Sequence, residues 1–162
     1  MDKKVPINPE KTPIRLLLVD DEEGYVNVLA NRLTKRNFRV TKAYSGGDAI
    51  RAVRGEDFDV AILDLKMEDM DGIEVLRIFN RMGLSMKIIM LTGHGSQEAA
   101  REGLRLGAFD YLMKPCDIDV LTAKVDEAAR KKRVHDEKIE KARIDKLVLL
   151  ICAPSRITRF CA

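Results

Sequence analysis

Cysteine and histidine are scarce in this sequence, and its apolar runs are short. The 162 residues hold three cysteines, Cys116, Cys152 and Cys161, with no CxxC spacing, and two histidines, His94 and His135. An odd set of thiols at such spacing supports neither a disulfide framework nor a zinc site, and the three read as reduced. No uninterrupted apolar stretch nears the roughly 20 residues of a membrane span. The polar opening Met1-Asp2-Lys3-Lys4-Val5-Pro6 lacks the apolar segment of a signal peptide. Internal repeats and low-complexity segments are absent as well. A cytoplasmic protein with no membrane attachment is the expectation.

What is present is an ordinary globular composition, 46% hydrophobic and 34% charged, in a length that suits one well-buried domain with a helical appendage. The net charge of +3 is unevenly spread. Residues 121–162 carry 11 basic against 6 acidic residues, a net +5, and residues 1–120 carry 18 against 20, a net −2. Three expected segments follow: a flexible leader over 1–13, broken by Pro6, Pro9 and Pro13; a folded domain over 14–129; and a basic helical extension over 130–162.

Within the domain, short apolar runs alternate with helical periodicity. Strands are expected at Ile14 to Val19, Phe38 to Ala43, Val60 to Leu63, Met86 to Leu91 and Phe109 to Met113. Between them, apolar residues at helical intervals mark amphipathic helices, such as Val26, Leu29, Ala30 and Leu33 after Glu22. Ser45 and Ser96 stand at expected helix starts, and Gly83 and Gly107 at expected ends. A last helix begins at Asp117 and its pattern runs on toward Leu147, longer than the domain requires. Five strands alternating with five helices predict a three-layer α/β sandwich of the flavodoxin-like kind, its parallel sheet in order 2-1-3-4-5.

That topology puts all C-terminal strand ends on one edge, where ligands bind in open α/β sheets. Asp20 and Asp21, Asp64, Thr92 and Lys114 all fall at such ends. Three carboxylates gathered there must hold a cation or be pushed toward protonation. An oxygen-rich ligand set without cysteine or histidine favours a hard ion such as Mg²⁺. Lys114 adds a positive charge and Thr92 a hydroxyl, the groups suited to phosphoryl oxygens, and a carboxylate nucleophile serves phosphoryl transfer. Asp64 is the expected acceptor.

The same residues carry a resemblance. The acidic pair Asp20-Asp21, Asp64 in the form D-x-x-M-x-x-M-D-G, Thr92-Gly93, and Lys114-Pro115 with Tyr111 three places earlier appear in the order of a response-regulator receiver domain of two-component signalling. The likeness spans about Arg15 to Ala128. It implies a phosphoacceptor phosphorylated on Asp64 by a sensor histidine kinase or phosphotransfer protein. Mg²⁺ would be bound by Asp21, Asp64 and the backbone carbonyl of Lys66, with Asp20 acting through water. It also implies a switch in which Thr92 closes on the phosphoryl group and Tyr111 turns inward, remodelling the face of the fourth helix, fifth strand and fifth helix. Such a domain slowly hydrolyses its own aspartyl phosphate and is not a turnover enzyme. Two positions depart from the pattern: Glu68 replaces a usual proline, which leaves that loop freer to move, and Cys116 replaces a usual phenylalanine. Lys66 and His94 would flank the phosphoryl group and tune its hydrolysis.

Output is expected through a protein-binding surface, as a stand-alone regulator, with nucleic acid not expected as a partner. In the extension, Ile139, Ala142, Leu147 and Leu150 form a narrow seam that could pair with another helix, including one from a second copy. Two other classes compete. A small aspartyl-phosphate phosphatase would use the same nucleophile, but no second carboxylate stands two places beyond Asp64. A DNA-binding regulator would use the basic tail.

Overall fold

The computed structural model describes residues 12–153. The expected leader lies almost wholly outside the described residues, as does Cys161. Ten elements follow in strict alternation: β1 (Arg15–Val19), α1 (Glu23–Thr34), β2 (Arg39–Ala43), α2 (Gly46–Gly55), β3 (Val60–Leu63), α3 (Gly72–Arg81), β4 (Lys87–Thr92), α4 (Gln97–Arg105), β5 (Asp110–Met113) and α5 (Ile118–Cys152). The strands form one sheet in order β2-β1-β3-β4-β5, every pairing parallel, which is the expected topology.

Alternation along each strand divides the core into two layers. Leu16 and Leu18 of β1, Val60 and Ile62 of β3, and Ile89 and Leu91 of β4 pack on one face with Val26, Leu29 and Leu33 of α1 and Leu121, Val125 and Ala128 of α5. Leu17, Val19, Ala61, Leu63, Ile88 and Met90 point the other way, against Ala49 and Val53 of α2 and Val75, Leu76 and Phe79 of α3. Burial on both faces explains why β1, β3 and β4 read as continuous apolar runs in the sequence.

The expected punctuation is present. Ser45, Asp71 and Ser96 accept hydrogen bonds from the amides of Asp48, Ile73 and Ala99 at the starts of α2, α3 and α4. Gly107, with φ of +96°, ends α4 in the left-handed conformation that glycine adopts without a Cβ penalty. The strand bounds move by a residue. Thr92, expected just past its strand, is the last residue of β4, and Phe109 precedes β5.

The edge of the sheet opposite the acidic one is closed by a second charged group. Asp59 is buried and accepts from the amide and guanidinium of Arg15, with the Lys132 ammonium 3.6 Å away. Burial pushes the Asp59 carboxyl up, but the Arg15 hydrogen bonds outweigh it and hold it below the usual range.

By its contacts the chain divides after Lys132. In the second unit α5 continues to Cys152. The expected seam is only part of what is apolar there. Ile139, Leu147 and Leu150 are exposed, but so are Val134, Ile144, Val148, Leu149 and Ile151, which lie around the helix rather than along one stripe. No helix among the described residues is long and apolar enough to cross a membrane.

Candidate functional site

The sheet register brings distant residues together. Val19 of β1 pairs with Leu63 of β3, so Asp20 and Asp64 leave the sheet side by side. Their amides continue the ladder for one more step, Asp20 to the Ala43 carbonyl and Asp64 to that of Val19. Both side chains are buried, Asp20 at 2% and Asp64 at 4% exposure. Asp21 completes the set, and one carboxylate oxygen from each of the three lies within 4.8 Å of the others. On the far side, Thr92 pairs with Met113, so Lys114 follows directly, its amide donating to the Thr92 carbonyl.

Lys114 holds the acidic group together. Its ammonium lies 2.5 Å from Asp20 Oδ2 and 3.9 Å from Asp64 Oδ1. Burial pushes the Lys114 ammonium toward the neutral form, but the Asp20 hydrogen bond and charge outweigh it, so Lys114 stays protonated. Asp64 behaves oppositely. Burial and then the Asp20 charge push its carboxyl up, against the opposing pull of Lys114 and the Thr92 hydroxyl. Its Oδ1 is buried with no hydrogen-bond partner. A buried carboxylate oxygen without a hydrogen bond, grouped with two further carboxylates, has the chemistry of a metal ligand. The donor set therefore fits a hard divalent cation, which would satisfy Oδ1 and neutralise the excess charge.

The loop after β3 is tied at several points. Glu68 donates its amide to Asp21 Oδ2 at 3.1 Å, a bond that a proline at this position could not make. Asp69 accepts from the amides of Gly46 and Gly47 at 3.0 and 2.9 Å, so a carboxylate from this loop caps the N-terminus of α2. These amides overcome the upward push of burial and hold the Asp69 carboxyl below its ordinary range. Gly72 donates to the Leu65 carbonyl at 2.7 Å and closes the turn. The freedom expected from Glu68 is thus countered by ties that the sequence pattern did not advertise. Replacing Asp69 by alanine should lower stability by about 1 kcal/mol, the usual worth of a cap. Faster hydrogen exchange at the Gly46 and Gly47 amides, with stability otherwise read from thermal melts, would check it.

Thr92 is fully buried, and its hydroxyl also accepts from the His94 amide at 3.1 Å. Tyr111 lies with its hydroxyl buried and unpartnered, against Gly95, where an added Cβ would stand 2.2 Å from the phenol oxygen. The structure thus gathers Asp20, Asp21, Asp64, Thr92 and Lys114 at one edge, and Tyr111 follows on the neighbouring strand. Lys66 and His94 sit on the loops after β3 and β4 and are exposed. Sequence reasoning missed Tyr25, whose ring lies beneath the Lys114 ammonium, 4.2 Å from its centroid. An aromatic in the first turn of a helix gave no signal of that contact.

Comparison with known proteins agrees with this geometry. The pattern described as the response regulator receiver domain matches residues 16–126. The transcriptional regulatory protein GlrR of Escherichia coli (strain K12) is 38% identical over 116 residues, which are 72% of this chain and 26% of that protein. The transcriptional regulatory protein ZraR of Salmonella typhimurium is 37% identical over 115 residues, 71% of this chain and 26% of that protein. The chain therefore spans about a quarter of the length of these relatives. Among solved structures, a CheY-like receiver domain protein from Methanospirillum hungatei JF-1 is 30% identical with a TM-score of 0.73, covering 76% of this chain and 99% of that one. The signal receiver domain of a Luxo repressor protein from Vibrio parahaemolyticus is 29% identical, with a TM-score of 0.73 over 77% of this chain and 96% of that one.

Proposed function

The chain belongs to the response regulator receiver domain family, and from that membership we propose that Asp64 accepts a phosphoryl group from a sensor histidine kinase or phosphotransfer protein in the cytoplasm. The observation that carries this is the buried, unpartnered Oδ1 of Asp64 beside two carboxylates and the Lys114 ammonium. In the transfer an Asp64 oxygen forms its bond to phosphorus as the donor's bond to phosphorus breaks in line, the donor leaving with that electron pair. Asp20, Asp21, Asp64 and the carbonyl of Lys66 would hold Mg²⁺. When bound, it supplies positive charge against the phosphoryl oxygens. Lys114 supplies the charge that this chain itself contributes, and Thr92 the hydroxyl that meets a third oxygen.

Phosphorylation then acts through Thr92 and Tyr111 to shift an existing equilibrium of the face formed by α4, β5 and α5, and the output is binding rather than turnover. The aspartyl phosphate is slowly lost to water within the same chain. The transcriptional role named for the relatives belongs to proteins of which the matched segment covers only 26%, and is not carried over.

Incubation of the whole chain with acetyl phosphate and Mg²⁺ should add one phosphoryl group, read by intact mass. Borohydride trapping and peptide mapping should place it on Asp64. Uptake that is indifferent to chelation of Mg²⁺, or mapped to another residue, would refute the assignment.

A further inference from the structure

Lys114 ends a flexible four-carbon stem, and such a side chain has many conformations to lose before it serves one site. Three contacts restrain its ammonium here: Asp20 at 2.5 Å, Asp64 at 3.9 Å and the Tyr25 ring centroid at 4.2 Å. The two carboxylates belong to the acidic pocket and would be engaged by a metal and by the phosphoryl group. The ring would not. Tyr25 stands in the first turn of α1, four places after Asp21, and like Cys116 packs against the core layer of α1 and α5. Its position therefore persists while the carboxylates change partners.

The face of an aromatic ring attracts a cation through its quadrupole, most strongly where water is excluded. The Lys114 side chain is 14% exposed, so the contact is largely dry. Burial pushes the Tyr25 phenol up, ahead of the opposing effect of Lys114, so the ring is neutral at physiological pH and serves as a platform rather than as an acid.

We propose that Tyr25 is a positioning residue for phosphoryl transfer, its ring face holding the Lys114 ammonium in the pocket while Asp20 and Asp64 exchange partners. The proposal rests on the reading of Asp64 as the acceptor. It predicts a dependence on the ring and none on the phenol hydroxyl. It further predicts that the dependence disappears when the lysine is removed.

The test measures the initial rate of acetyl-phosphate labelling of the whole chain with Mg²⁺ in five forms: wild type, Tyr25→Phe, Tyr25→Leu, Lys114→Met, and Tyr25→Leu with Lys114→Met. Tyr25→Phe should label within about twofold of wild type and Tyr25→Leu about fivefold slower, the scale of one partly desolvated cation–ring contact. The leucine change should have no further effect in the Lys114→Met background. The Lys114 methylene protons should be shifted upfield by the ring in wild type and Tyr25→Phe, and not in Tyr25→Leu. If the leucine variant melts early, Tyr25→Met takes its place in the same comparison. Wild-type rates in Tyr25→Leu, a Tyr25→Phe rate as low as that of leucine, or a deficit that survives Lys114→Met would each overturn the proposal. Labelling that persists in Asp64→Asn would instead overturn the acceptor assignment. Labelling abolished by Asp64→Asn but indifferent to Tyr25 removes only the role of the ring.

Discussion

Asp64→Asn should abolish phosphoryl uptake and at the same time raise the melting temperature of the metal-free chain. The first effect follows from the loss of the nucleophile. An amide oxygen at this site is far less nucleophilic than a carboxylate, and its product would be unstable, so labelling should fall by more than about a hundredfold. The second effect follows from the electrostatics of the carboxylate pocket. Asp64 is buried beside Asp20, and burial together with that charge pushes its carboxyl above the ordinary range. The folded state then holds the proton more tightly than the unfolded state does. Asp64 thus favours the fold fully at pH below the unfolded carboxylate range, and that contribution is lost as pH rises through the raised folded value. At neutral pH the fold carries the charge at a cost, and its removal should return about 1 kcal/mol. In chelator, melts of wild type should fall as pH rises through this interval, and those of Asp64→Asn should fall less. Added Mg²⁺ should stabilise wild type and do little for the variant. A variant that melts below wild type at neutral pH without metal would contradict the electrostatic account.

Gly72→Ala should be the most damaging of the small substitutions near the site. A Cβ at Gly72 would stand 2.2 Å from the Asp64 carbonyl oxygen and 3.0 Å from the Leu65 Cα. Both are backbone atoms just past the end of β3, held by the hydrogen bonds that the Asp64 amide donates to the Val19 carbonyl and the Gly72 amide to the Leu65 carbonyl. Neither can swing aside as a side-chain tip would. Relief requires opening the loop that carries Lys66, Glu68 and Asp69, at a cost of about 3 kcal/mol, the upper range for overpacking. For a domain of this size that is a fall of roughly 10 °C in melting temperature. The sequence has no tryptophan, so far-UV circular dichroism is the suitable probe. Labelling should fall at least about tenfold, because the acceptor and the Lys66 carbonyl shift together. Gly24→Ala is the control. Beyond its chain neighbours and the helix's own backbone nothing lies within 4 Å of a Cβ there, and alanine favours the α1 helix, so stability should hold or rise. Equal melting of the two alanine variants would show that the close approach at Gly72 does not constrain the loop.

Much of the fold was legible because its signals are local. Leu16 to Val19, Val60 to Leu63 and the run before Thr92 announce buried parallel strands by being apolar throughout. Ser45, Ser96, Gly83 and Gly107 mark helix ends through backbone chemistry that a sequence displays directly. The gathering of Asp20, Asp21, Asp64, Thr92 and Lys114 could also be inferred, since a parallel sheet puts every C-terminal strand end on one edge. The contacts of Tyr25, Glu68 and Asp69 could not. Each pairs groups whose residue types predict nothing about one another: a ring with a distant lysine, an amide with a carboxylate 47 positions earlier, a loop acid with two glycine amides.

By itself, then, the order of residues determined which strands form, which way they run and which side chains reach the common edge, because hydrophobic period and strand polarity are properties of consecutive positions. Only the tertiary structure decided that Lys114 pairs with Asp20, that the Asp64 oxygen is left without a partner and that Gly72 has no room for a methyl group. Those are matters of ångströms between segments far apart in the chain, set by how two core layers pack against one twisted sheet.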